Sequence, residues 1–154
     1  MAKVSLGKKV GDFTIATTGG PFRLKDARGG KLVVYFYPRD NTPGCTREGA
    51  DFRDLHAAFR KAGITVLGVS TDSLASHEKF KAKMGFPFEL GSDPEHSLAE
   101  LFDAWKEKNM YGRKVMGVER STFLLDAEGV LRQEWRKVKV DGHAAAVLEA
   151  ARAL

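Results

Sequence analysis

Pro38, Thr42 and Cys45 stand in one tight turn, Pro38-Arg39-Asp40-Asn41-Thr42-Pro43-Gly44-Cys45-Thr46, and their order describes a place for a reactive sulfur. Cys45 is the only cysteine among 154 residues, which removes an internal disulfide and a four-thiolate metal site from consideration. Thr42 suits a helix N-cap and Pro43 the first helical position, so Cys45 falls in the first turn of a helix. There the helix end offers roughly half a positive charge and unpaired N–H groups, both of which favour thiolate over thiol. A free cysteine can instead be a small buried hydrophobe. The Thr-Pro-Gly-Cys start, directly after a hydrophobic run, favours a nucleophile.

The elements that must position this turn are legible on either side of it. Lys31–Tyr37 is a short continuous apolar run ending at Pro38, the pattern of a strand covered on both faces. After Cys45, Phe52, Leu55, Phe59 and Ala62 recur at helical spacing and Gly63 supplies the stop. Ile64–Ser70 reads as a second buried strand. A helix opening at Asp72 or Ser73 carries Leu74, Phe80 and Met84 to Gly85, and another from Asp93-Pro94 turns Leu98, Leu101, Phe102 and Trp105 inward. Glu119–Leu125 and Val130–Trp135 form a hairpin about the turn Asp126–Gly129. A last helix runs from about Asp141 towards Leu154 on Val147, Leu148 and Ala151. Near the amino end, Phe13–Ile15 and Phe22–Leu24 flank a turn-rich stretch and predict a further hairpin.

Two buried strands joined by a helix are parallel with a right-handed crossover, and the late hairpin adds antiparallel pairing. The expectation is an α/β, thioredoxin-like fold, a mixed central β-sheet flanked by helices with an N-terminal β-hairpin, forming a single domain over residues 1–154. The reactive turn then lies beyond the carboxyl end of its strand, where open α/β sheets place their sites.

Composition narrows the class. A hydrophobic fraction of 43% suffices for a core. No window resembles a membrane span and the start, Met1-Ala2-Lys3-Val4, lacks a signal-peptide core, so a soluble cytoplasmic protein is expected. The net charge of +5 is spread among 20 acidic residues, with one local cluster at Lys106, Lys108, Arg113 and Lys114. No basic face or motif for nucleic acid emerges. His56, His77, His96 and His143 have no ligand spacing and read as solvated helix positions. Neither a metal nor a cofactor is expected.

The spacing Pro38-x-x-x-Thr42-x-x-Cys45 resembles the signature of the peroxiredoxins, and the fuller string YFYPRDNTPGCT looks like their bacterioferritin comigratory protein, or PrxQ, branch. The likeness continues through Leu67–Asp72, Ser92-Asp93 and Arg120–Asp126, in order and over nearly the whole chain. It implies a thiol-dependent peroxidase acting on hydrogen peroxide and organic hydroperoxides. Cys45 would attack one peroxide oxygen as thiolate. Thr42 would donate through its hydroxyl while capping the helix, Arg120 would stabilise thiolate and developing charge, and Pro38 would shield the turn from water. Arg113 and Lys114, on an expected loop, are the rival cations to Arg120. A carboxylate at Glu48 is, in that family, mainly structural. Trp105 and Tyr111 fit core or loop packing better than a pocket.

One departure matters. Many relatives carry a second, resolving cysteine five residues after the first, where this chain has Ala50, and others carry it near Lys81. This is a one-cysteine form, or a chain whose resolving cysteine at position 50 has been replaced. Its sulfenate then needs an external thiol, such as thioredoxin, glutaredoxin or glutathione. Family likeness leans to a monomer. Thiol–disulfide exchange is disfavoured because Thr42 stands where a Cys-x-x-Cys partner would be. A glutathione-peroxidase-like set lacks its glutamine, since Gln133 is the only one and lies on a late strand. A non-enzymatic peroxide sensor or holdase, using Cys45 as a switch, is the alternative.

Overall fold

The computed structural model describes residues 3–154; Met1 and Ala2, part of the stretch read for a leader, lie outside the described residues. Among the described residues nine strands and four α-helices follow one another in the order β1 (Thr14–Thr17), β2 (Gly20–Arg23), β3 (Lys31–Phe36), α1 (Pro43–Lys61), β4 (Ile64–Ser70), α2 (Leu74–Met84), β5 (Glu89–Ser92), α3 (Ser97–Leu101), β6 (Trp105–Met110), β7 (Arg113–Val118), β8 (Ser121–Leu125), β9 (Leu131–Trp135) and α4 (His143–Arg152). Seven strands form one mixed sheet in the order β2-β1-β5-β4-β3-β8-β9, while β6 and β7 pair only with each other.

The centre of the sheet is what the hydrophobic runs dictate. β3 lies parallel to β4, with Val33 beside Val66, and antiparallel to β8, with Phe36 beside Ser121. Both of its faces are covered. Leu32, Val34 and Phe36 join the core under α3, and Val33, Tyr35 and Tyr37 join the core under α1, α2 and α4. Strand alternation thus divides one apolar run between two layers.

Helix α1 is anchored by Phe52 and Phe59, both fully buried. Removing either ring would cost about 3–5 kcal/mol. Gly49 is required by its neighbour: a Cβ there would lie 2.4 Å from Phe86 Cζ. The helix ends where Gly63 takes φ +74°, a conformation that suits glycine.

Four sequence expectations are corrected. The third helix is only Ser97–Leu101, because Asp93 caps it through Leu98 N and Ala99 N at 3.1 and 2.8 Å, and Asp103 at φ 56° ends it. Trp105 therefore begins a strand and stacks on His96, with ring centroids 4.1 Å apart. Secondly, Glu89–Ser92 is a strand, unread in the sequence, that pairs with β4 and receives the amino-terminal hairpin through β1. Thirdly, the stretch expected as a loop around Arg113 and Lys114 is a hairpin turning at Tyr111-Gly112, both at positive φ. Its residues are mostly exposed, many of them charged, and show no inside–outside alternation for the sequence to reveal. The strand expected from Glu119 starts at Ser121, so Arg120 sits in the short link between β7 and β8.

Candidate active site

Everything in the site radiates from the first turn of α1. Thr42 holds the N-cap position in an extended conformation and Pro43 is the first helical residue. The first helical hydrogen bond runs from Thr46 N–H to Thr42 C=O at 2.8 Å, so the amides of Gly44 and Cys45 precede the helical ladder. Cys45 is 2% exposed. Its sulfur accepts a hydrogen bond from Arg120 Nη2 at 3.3 Å. Gly44 gives the guanidinium room, since a Cβ at that position would come within 3.1 Å of Nη2.

Arg120 is held at its backbone and at its head. Glu119 N–H donates to Ala104 C=O and Val138 N–H to Arg120 C=O, at 2.8 and 3.0 Å, which fixes the link between β7 and β8. At the head, Nη1 donates to Glu48 Oε1 at 2.6 Å. Burial works against the guanidinium charge, but Glu48 and Cys45 outweigh it and keep Arg120 protonated beyond its ordinary range.

Glu48 lies three residues after Cys45, one turn along the same helix. It is fully buried and its Oε2 has no partner. Burial pushes its carboxyl up to about 7, and Arg120 offsets only part of that rise. The carboxyl can therefore hold or release a proton near neutrality.

Around this trio the side chains are fixed in neutral or weakened charge states. Burial, then Arg120, lowers His143 to about 4, and its Nε2 meets Thr122 Oγ1 at 2.8 Å. Burial, then Glu48, raises Tyr35 so that it remains a phenol. Lys108, on the separate hairpin, is lowered by burial and by Arg120.

The structure brings Cys45 and Arg120 together but distributes the other sequence candidates differently. The Thr42 hydroxyl donates to Arg39 C=O at 2.9 Å, and its side chain makes no cap to the helix. This corrects the expected capping role: the turn places a closer carbonyl three residues back, and the extended cap conformation starts the helix without it. Pro38 stands two residues after the end of β3, half-buried. Arg113 and Lys114 lie exposed on β7, and Tyr111 is 99% exposed at the hairpin tip.

The expectation of four solvated histidines is corrected for two of them, because His77 and His143 are buried on inward helix faces. His77 joins Asp40 and Asp72 in a cluster whose ligand atoms lie within 4.8 Å of one another. Those atoms are engaged by protein groups: Asp40 accepts from Tyr37 and Ser76 and meets His77, and Asp72 accepts from Asp40 N–H and Ser70. The inner-stripe spacing Leu74, His77, Phe80 could have revealed His77; the Glu48–Arg120 pairing had only the i+3 position of Glu48 as a signal.

A thioredoxin-like sheet presenting a lone thiol at a helix start beside a half-buried guanidinium is the layout of a thiol peroxidase. The AhpC/TSA family model matches residues 6–134. Peroxiredoxin Bcp of Xanthomonas campestris is 55% identical over 92% of this chain and 89% of its own length. Peroxiredoxin Bcp of Bacillus subtilis is 49% identical over 95% and 94%. The solved structure of Xanthomonas campestris peroxiredoxin Q superposes with a TM-score of 0.90 at 53% identity, covering 99% of this chain and 97% of that one. A cysteine-to-serine variant of Xylella fastidiosa PrxQ gives 0.93 at 42% identity, covering 99% and 98%. The chain belongs to the AhpC/TSA family, in the Bcp or PrxQ branch of the peroxiredoxins. It is a peroxidase with one cysteine, and the sensor or holdase alternative is not favoured.

Proposed function

We propose that Cys45 is the peroxidatic nucleophile and that Arg120, Thr42 and Pro38 complete its site. The observation that carries this reading is the 3.3 Å contact from Arg120 Nη2 to the sulfur. The thiolate attacks one oxygen of ROOH, the O–O bond breaks, and Cys45 becomes the sulfenic acid while RO⁻ leaves and takes up a proton. Arg120 faces both the starting thiolate and the charge that develops on oxygen, where a fixed cation is most effective. Thr42 turns its hydroxyl from the Arg39 carbonyl to the peroxide when substrate binds, and Pro38 covers the turn without adding a competing N–H donor.

Reduction follows from the composition. An external thiol condenses with the sulfenic acid, releasing water and forming a mixed disulfide, and a second thiol frees Cys45. Thioredoxin, glutaredoxin and glutathione are the thiols of this class. Structures of the Xanthomonas bacterioferritin comigratory protein with trapped intermediate and ligand concern its alkyl peroxide reduction. That likeness supports organic hydroperoxides as substrates beside hydrogen peroxide. The chain works as one domain and a monomer in the cytoplasm. Among the described residues no helix is long and apolar enough to cross a membrane.

The test is intact mass after one equivalent of peroxide. A single added oxygen on Cys45, with turnover resumed only when a thiol is supplied, is expected; excess peroxide should then drive the sulfur to sulfinic and sulfonic acids. A disulfide-linked homodimer as the main product would overturn the reading, because a second Cys45 would then be resolving the first.

A further inference from the structure

The loop between β3 and α1 is fastened from one side by a buried polar cluster that the peroxidase reading does not use. Its centre is Asp40, five residues before Cys45 and 5% exposed. Tyr37 donates to Asp40 Oδ1 at 2.7 Å, and Ser76 donates to Oδ2 at 2.7 Å. His77 Nδ1 meets Oδ2 at 2.8 Å, while His77 Nε2 meets Gly91 C=O at 2.9 Å. The backbone N–H of Asp40 donates to Asp72 Oδ2 at 2.8 Å, and Asp72 is itself held by Ser70. One carboxylate thus ties the loop to α2 and, through His77, to β5; the amide beside it ties the loop to the end of β4.

The chemistry of His77 is set by its partners. A carbonyl oxygen can only accept, so Nε2 carries a hydrogen. An ionised Asp40 can only accept as well, so Nδ1 carries one too, and the ring that satisfies both is the imidazolium. A fully buried ion pair is a weak source of net stability, because desolvation cancels much of the attraction. What it supplies is a fixed geometry. The residue after Asp40 needs it: Asn41 takes φ 62°, left-handed for a non-glycine residue, and Thr42 and α1 follow immediately.

We propose that Asp40 and His77 are positioning residues for the peroxidase reaction: their buried pair holds the 38–42 loop so that the first turn of α1 presents Cys45 to Arg120, and loosening it opens that turn. The proposal rests on the peroxidase reading and adds residues to it. Two steps of the cycle then respond in opposite senses. Attack on peroxide needs the closed turn, in which the sulfur meets Arg120. Reduction of a sulfenic acid on a residue only 2% exposed needs the turn to open to the thiol.

The test measures both steps by stopped flow on His77→Ala and Asp40→Asn, with the parent and Cys45→Ser alongside. His77→Ala should slow the peroxide step at least tenfold and speed reduction by a protein thiol such as thioredoxin severalfold, with faster amide exchange over residues 40–48. Asp40→Asn can keep the arrangement with a neutral His77, its amide donating to Nδ1, and should retain most of the parent's peroxide rate. If His77→Ala does not fold, Tyr37→Phe and Ser76→Ala each remove one hydrogen bond from Asp40 and should move the same two rates in the same directions. Unchanged rates per folded molecule in His77→Ala, or in both Tyr37→Phe and Ser76→Ala where His77→Ala does not fold, with only the melting temperature lowered, would make the pair merely structural and overturn the proposal. A parent protein that consumes no more peroxide than Cys45→Ser would instead overturn the peroxidase reading.

Discussion

Asp40 and Glu48 stand on opposite sides of the first turn of α1, both buried, and they end in opposite states. Asp40 meets three side-chain partners on its two oxygens, and although burial works to raise it, His77, Tyr37 and Ser76 hold its carboxyl below the ordinary range. Glu48 has one cation, Arg120, and an oxygen with nothing to accept from, and burial raises it to about 7. Glu48 is the more deeply buried of the two, and the smaller number of donors around it widens the difference. A saturated carboxylate belongs to a scaffold, fixed in charge and place. The under-satisfied one lies where charge must change during reaction, sharing Arg120 with the sulfur.

The largest effect expected is from Cys45→Ser, which should abolish thiol-dependent peroxide consumption while the fold persists, since no second cysteine can substitute. Competition for limiting peroxide reads it directly, and turnover near that of the parent would refute the assignment. Arg120→Met comes next. Losing the guanidinium removes the donor on the sulfur and the donor on Glu48 Oε1. The peroxide step should fall by about 10²–10³, with a lower melting temperature because a buried carboxyl is left alone. Adding Glu48→Gln to that variant should recover stability but not rate. Recovery of both would mean that Arg120 serves Glu48 alone. If neither recovered, the loss would lie in the chain path between β7 and β8, and the contrast between the two carboxylates would not explain it.

How much of this contrast could be read from the sequence depends on how local each signal is. The β3 run, the Thr-Pro-Gly-Cys start and the Phe52/Phe59 stripe announce a strand, a turn and a helix within a few residues of one another, and the thioredoxin-like order followed from them. β5 is four residues of mixed character, defined by pairing with β4 and β1, so no local pattern marked it. The β6–β7 hairpin hid behind lysines because it is outside the main sheet and need not alternate. Within the site, Cys45 carried its own context. Thr42 did too, but the partner its hydroxyl chose, a carbonyl behind it and not an amide ahead, depends on turn geometry that residue types do not encode. Glu48, Asp40 and His77 are the residues where reading failed most. Each is an ordinary polar residue until a distant element covers it, and only then does its number of donors decide its charge.

The subtlest consequence is in stability against pH, where the two carboxylates should pull in opposite directions. Glu48 is raised in the folded protein from an ordinary 4.5 to about 7, so folding favours its protonated form. Its contribution is fully present below 4.5 and is lost as pH rises through 7, amounting to about 3 kcal/mol at most across that window. Asp40 is lowered in the folded protein, so its contribution is present above its ordinary 3.8 and is lost as pH falls through its depressed folded value. Glu48→Gln removes the first titration and leaves the second. Urea unfolding of the parent and the variant should show the variant gaining on the parent between pH 5 and 8, because only the parent must ionise a buried carboxyl. Subtracting one curve from the other cancels every group the two proteins share. A flat difference for Glu48→Gln from pH 5 to 8 would mean that Arg120 alone satisfies the buried carboxylate, and the distinction drawn from donor number would fail.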